Sequence, residues 1–132
     1  MEYLAWQEGV HSVSLDLSAD LVQTSSAQGP LPRIPPARIL GGIEYNHPML
    51  DARVEARWVD DQTRITAFEL PTDGYTWINF HLSIRPFENT GTTLTFKALN
   101  LTDKEARNHV SFRKDRVPLP GRDFQLSLRV PF

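Results

Sequence analysis

Residues 12–21 read Ser-Val-Ser-Leu-Asp-Leu-Ser-Ala-Asp-Leu, an unbroken alternation of polar and apolar side chains. An extended chain points successive side chains to opposite faces. Val13, Leu15, Leu17, Ala19 and Leu21 therefore share one face, and Ser12, Ser14, Asp16, Ser18 and Asp20 the other. The run is longer than the usual strand of about five or six residues. The same period returns in Phe124, Leu126, Leu128, Val130 and Phe132, set against Asp123, Gln125, Ser127 and Arg129. It returns again in Ala52, Val54, Ala56 and Trp58 against Arg53, Glu55 and Arg57, and in Ile78, Phe80, Leu82 and Ile84 against Asn79, His81, Ser83 and Arg85. Two weaker strands are expected at residues 38–45, broken by Gly41-Gly42, and at 93–101, where Leu99 falls on the polar face. Residues 2–7 read as the end of a further strand. Helical spacing is almost absent, so the chain is all-β.

The connections alternate in length. Gln7-Glu8-Gly9, Asn46-His47-Pro48 and residues 87–91 are short and carry the Gly, Asn and Pro of tight turns. Residues 24–36, 60–74 and 103–121 are long. Short turns at one end and long loops at the other define an antiparallel up-and-down meander of six to seven long strands. No linker divides it, so residues 1–132 form one domain.

Composition narrows the function. An apolar content of 40% supports a folded domain, and a formal charge of −2 argues against a nucleic-acid partner held by bulk charge. With no cysteine, disulfides, thiolate metal sites and a Cys nucleophile are all excluded. There is no apolar run long enough for a membrane-crossing helix, and Met1-Glu2-Tyr3-Leu4 does not open a signal peptide. Alternation itself fits two architectures. A soluble β-sandwich or calycin-like ligand-binding module would bury the apolar face, whereas a membrane barrel would turn it to lipid. Strands of about ten residues, tilted, span a bilayer. Aromatics also gather near strand ends, with Tyr45 and Phe132 on the short-turn side and Trp58, Tyr75 and Trp77 beside the long loops. Together with the loop asymmetry these favour the barrel. Six strands and a stub cannot close one, and open edges in hydrocarbon cost several kcal/mol per unpaired group. An open segment of a larger barrel is expected.

The segment Ala98-Leu99-Asn100-Leu101-Thr102-Asp103-Lys104-Glu105-Ala106, followed by a loop and an alternating strand ending in an aromatic, resembles the C-terminus of TonB-dependent outer-membrane receptors. Residues 107–115 and Pro118-Leu119-Pro120-Gly121-Arg122 are similar to the zinc-uptake type of that family, as are residues 29–36 and 68–76. The resemblance implies the last seven strands of a barrel of about 22, with the plug domain and earlier strands lying outside this chain. It implies a bacterial outer-membrane location, periplasmic short turns and external long loops. The partners it implies are lipid, the remaining barrel and plug, the TonB complex and the barrel-assembly machinery. Phe124, Leu126, Leu128, Val130 and Phe132 would be the assembly signal. The cargo would be zinc, another metal or a metal chelate, with no permanently bound cofactor, and the segment alone would not transport.

Several side chains are candidates for chemistry. His109, with Asp103 and Asp115 near it in sequence and Glu105 beside them, offers imidazole and carboxylate donors suited to a divalent metal. Asp60-Asp61, with Glu69 and Asp73, could form a cation-attracting mouth or an ordinary solvated loop. Arg53, Glu55 and Arg57 alternate in sign and are expected to pair along the lumen wall, joined by Asn79, His81, Lys97 and Arg129. His11 and His47, near the short turns, are expected to be inert. His81 and Ser83 stand about 7 Å apart by strand geometry, too far for a nucleophile and its base, so no enzymatic activity is expected. Asn100-Leu101-Thr102 matches a glycosylation pattern but ends a strand, and the proline-rich residues 30–36 read as a rigid loop.

Overall fold

A computed structural model describes residues 1–24, 26–27, 29–87 and 90–131. Phe132, the terminal member of the expected assembly signal, lies outside the described residues. The strands are β1 (Glu2–Glu8), β2 (His11–Asp20), β3 (Arg38–His47), β4 (Leu50–Val59), β5 (Tyr75–Ile84), β6 (Thr93–Leu99) and β7 (Asp123–Arg129). They form one antiparallel sheet in sequence order, every strand paired with its predecessor. This is the meander that the alternation predicts. Among the described residues β1 pairs only with β2 and β7 only with β6, so both outer edges are open.

Register sorts the side chains into two faces. Tyr3, Leu15, Ile43, Val54, Phe80, Ala98 and Phe124 lie opposite one another in one row across the whole sheet. Ser14, Glu44, Arg53, His81, Lys97 and Gln125 form a matching row on the other face. Exposure then runs opposite to that of a soluble protein. Along β4, Val54 is 47% and Trp58 42% accessible, while the side chains of Arg53 and Glu55, on either side of Val54, are 26% and 22% accessible. On β7, Phe124, Leu126 and Leu128 are all exposed.

The described residues bury only Val59, Ala98 and Ala106 as apolar core. The accessible surface is 9465 Å², against roughly 7,000 Å² for a compact monomer of this mass. Each large side chain left on the apolar face forgoes about 1.5–3 kcal/mol of burial. The sandwich alternative requires a second sheet across that face. The described strands make one sheet and leave most of the large side chains on that face exposed.

Two strand expectations need correction. Gly41-Gly42 does not interrupt β3, which runs through to His47. Gly42 instead clears a space: a Cβ there would collide with the Arg53 guanidinium and sit 2.6 Å from the Asp16 carboxylate. β6 stops at Leu99, because Asn100 takes a left-handed backbone with φ of 49°, a conformation that Asn tolerates better than most residues.

Candidate functional site

The polar face is organised around Arg53. Its guanidinium passes over Gly42 to reach Asp16, two strands away, at 2.5 Å. It also meets Glu44 at 3.3 Å and Glu55 at 3.6 Å. Glu55 accepts a 3.2 Å hydrogen bond from Asn79 and lies 4.0 Å from Arg57. The expected pairing of Arg53, Glu55 and Arg57 is therefore present, and Asp16 and Glu44 are members that alternation alone did not single out. At the short-turn end Arg85 pairs with Asp51, and at the long-loop end Arg38 pairs with Asp20 at 2.7 Å.

His81, Lys97 and Arg129 share this face by register, opposite Arg53, His81 and Thr93 respectively. Lys97 and Arg129 do not join the ion-pair network: among the described residues neither has an acidic partner within salt-bridge distance. Tyr75 and Trp77 also lie on this face, opposite Val59 and Arg57. Of these three aromatics Trp58, facing Thr76, is the one on the apolar face. Tyr75 and Trp77 are thus not part of an outer aromatic band. Their rings pack 5.3 Å apart, and Trp77 Nε1 donates to the Lys104 carbonyl at 3.3 Å.

The three long loops converge on Glu69. The Arg33 backbone N–H donates to its two carboxylate oxygens at 3.1 and 3.3 Å. Lys114 Nζ and His109 Nε2 donate to Oε1 at 3.0 and 3.1 Å. Side-chain exposure is 7% for Glu69, 1% for His109 and 8% for Lys114. Burial pushes the Glu69 carboxyl up, but the Lys114 hydrogen bond, the Arg33 N–H and the neighbouring positive charge outweigh it, leaving its pKa below the ordinary carboxylate value. Burial, reinforced by the Lys114 charge, holds His109 below the usual imidazole value against the pull of Glu69. The Arg33 guanidinium also rests 3.2 Å from the Phe112 ring centroid, a cation–π contact between the first and third loops.

The same geometry shows where the expected metal ligands lie. His109 Nε2 faces Glu69, and Nδ1 lies 2.9 Å from the Thr72 hydroxyl, so both ring nitrogens are engaged. The Lys114 ammonium, 3.4 Å from each, opposes a second cation. Asp103 is occupied elsewhere, accepting the Arg122 backbone N–H at 3.0 Å. Asp115 is exposed. Among the described residues no group of three or more His or carboxylate side chains could hold a metal ion. His109, Asp103 and Asp115 are not brought together as a ligand set.

Glu69, buried in the cap, likewise leaves the expected acidic mouth. Asp60 and Asp61 remain, lining a cavity of about 230 Å³ against Pro30, Pro35 and Pro36. The proline-rich segment is tied in by the Gln62 amide, which donates to the Ile34 carbonyl at 3.0 Å.

Asn100 and Lys114 are the residues that sequence reasoning missed. Asn100 is fully buried. Its amide nitrogen donates to the Lys104 carbonyl at 3.0 Å and to that of Pro120 at 3.4 Å, while its oxygen accepts from the Lys104 N–H at 3.0 Å and from Thr102 at 3.1 Å. With Asp103 on Arg122, it pins both ends of the third loop. The Asn-Leu-Thr-Asp-Lys segment is therefore a loop clasp. A polar Asn closing an apolar strand was the available signal.

No protein-family model matches the chain, and no curated protein matches it. Among solved structures it is similar to the copper transporter OprC, with a TM-score of 0.74 and 23% identity over 99% of this chain. The match covers 22% of that protein, so the chain spans about a fifth of its length. At this identity the likeness shows a shared fold.

Proposed function

We propose that this chain is the C-terminal wall of a TonB-dependent outer-membrane receptor that imports a transition metal, as the ion or as a chelate, and that it is a transport rather than a catalytic segment. The observation that carries the reading is the inverted sheet, with a half-buried ion-pair network around Arg53 on one face and exposed large apolar side chains on the other. Hydrocarbon is the solvent that makes that arrangement favourable. The open edges of β1 and β7 would then be closed by the remaining strands of the barrel, because unpaired backbone groups are too costly in lipid. The name of the copper transporter whose fold this chain shares supports a metal cargo. The resemblance of residues 29–36, 68–76, 107–115 and 118–122 to zinc-uptake receptors supports the same class and makes zinc the alternative to copper.

In this reading Arg53, Glu55, Arg57, Asn79, His81, Lys97 and Arg129 face the lumen, where the Arg53 network pairs both of its guanidiniums with carboxylates and leaves Lys97 to the lumen's contents. The Glu69 cap joins the three external loops. Among the described residues the cap gathers no metal-ligand set, so in this proposal direct metal contacts fall to other parts of the receptor. Energy would come from TonB through the plug, and Phe124, Leu126, Leu128, Val130 and Phe132 would be read by the assembly machinery.

Uptake of zinc and of copper, each supplied alone at limiting concentration, tests the proposal in cells bearing the full-length protein with and without TonB. TonB-dependent accumulation of one metal is expected. Accumulation of neither, with the protein folded in the outer membrane, would remove the metal cargo.

A further inference from the structure

We propose that His11 and His47, on the apolar face at the short-turn end of β2 and β3, form a seat for the phosphate of a phospholipid headgroup. The proposal rests on the membrane-spanning reading above. His11 opens β2 and His47 closes β3, one step beyond the Ser12–Asn46 pair. Their rings stack with centroids 4.7 Å apart and planes 26° from parallel.

A hydrogen bond at Nδ1 fixes the His47 tautomer, and a contact at Nδ1 accommodates the same tautomer in His11. The Met49 backbone N–H donates to His47 Nδ1 at 3.2 Å, so the neutral ring carries its proton on Nε2. The Tyr45 hydroxyl lies 2.7 Å from His11 Nδ1; in the proposed seat the phenol donates there, which sets the His11 proton on Nε2 as well. Among the described residues neither Nε2 has a hydrogen-bond partner. In those tautomers each of the two stacked rings offers an Nε2–H donor that has no acceptor among the described residues. That is the wrong polarity for a metal, since the lone pairs a cation needs are already engaged at Nδ1. It suits an anionic oxygen, and a phosphate can accept from both rings in short, charge-assisted hydrogen bonds.

Position selects a lipid over free phosphate. A register shift between Leu4 and Trp6 sets Trp6 opposite Val13, on the same face as Tyr45 and the two histidines. Trp6 is 45% accessible, and its ring centroid is 6.4 Å from that of His11. Trp and Tyr at the end of an apolar band mark the depth where headgroups meet hydrocarbon. A headgroup phosphate held there lays its acyl chains along Val13, Leu15 and Ile43, whereas phosphate in water gains nothing from that surface.

The test uses the full-length protein extracted in mild detergent, with retained phosphatidylglycerol counted by native mass spectrometry. The double variant His11→Phe/His47→Phe keeps two stacked rings and removes both donors. Retention is expected to fall at least about tenfold, the scale of one lost charge-assisted hydrogen bond, since both donors are removed. His11→Gln/His47→Gln, which restores an N–H at similar reach and guards against misfolding of the first variant, is expected to retain lipid within about twofold of the parent. Millimolar inorganic phosphate is expected to leave the lipid in place. Undiminished retention in the phenylalanine variant, or displacement of lipid by inorganic phosphate, would overturn the seat. In the same membranes a lipid-soluble maleimide on Val54→Cys reports separately on the membrane reading, so the two can fail independently.

Discussion

The sheet wall and the loop cap each gather charge around one residue, and they do it in opposite ways. In the wall a cation, Arg53, is surrounded by three carboxylates, and its side chain keeps 26% exposure. In the cap an anion, Glu69, is surrounded by an ammonium, an imidazole and a backbone N–H, and retains 7% exposure. The wall partners are set by strand register, and Gly42 opens the one gap that lets Arg53 reach beyond its neighbours. The cap partners lie 36, 40 and 45 residues from Glu69 or further along three loops, and only the folded loops bring them together. A partly wet network tolerates the loss of one member. A dry one does not, because it strands an unpaired charge.

That contrast is most sharply broken at Glu69. Glu69→Ala leaves Lys114 and His109 buried without their acceptor and should cost about 3–5 kcal/mol of cap stability. Hydrogen exchange of the backbone amides in residues 100–122 should rise accordingly while β2–β5 stay protected. Equal loosening of strands and loops would mean that the cap is not a separate unit.

Acid should separate the two regions next. His109 has a pKa below its ordinary 6.5 when the cap is closed, so as pH falls through 6.5 the open form takes up a proton that the closed form resists. Glu69 has a pKa below its ordinary 4.5, so its contribution is present above that pH and is lost as pH falls through the lowered value. Both groups act in the same direction, and cap opening followed by limited proteolysis should rise from about pH 6.5 downward. His109→Gln should flatten the upper part of that profile and leave the lower part.

The wall is expected to respond less. Gly42→Ala displaces the Arg53 guanidinium from Asp16 and should cost about 1–3 kcal/mol, the scale of a hydrogen bond to a charged group. A lowered unfolding temperature on heat-modifiable gels would report it. Least of all, Asp20→Asn removes an ion pair whose side chains are more than half exposed and should change stability by at most about 1 kcal/mol.

The same contrast explains what the sequence disclosed. Residues 12–21 could be assigned to strand and face without coordinates because a period of two encodes both. Residues 41–42 misled, since glycine reads as a strand breaker when its neighbours across the sheet are unknown, and here it accommodates an arginine from the next strand. Tyr75 and Trp77 misled because closeness to a strand end fixes height along the sheet but not face. In the cap, Glu69 and His109 were visible as residue types suited to metal. Nothing in their spacing showed that Lys114 would fold between them and use their donors and acceptors for packing.

The central claim is that the sheet turns its apolar face to lipid and its charged face to water. The chain has no cysteine of its own, so single cysteines at Val54 and Lys97, in otherwise native full-length protein in outer-membrane vesicles, test it directly. Val54→Cys should react with a lipid-soluble maleimide and resist a charged, water-soluble one, and Lys97→Cys should show the reverse. Water-soluble labelling of Val54→Cys with protection of Lys97→Cys would contradict the account.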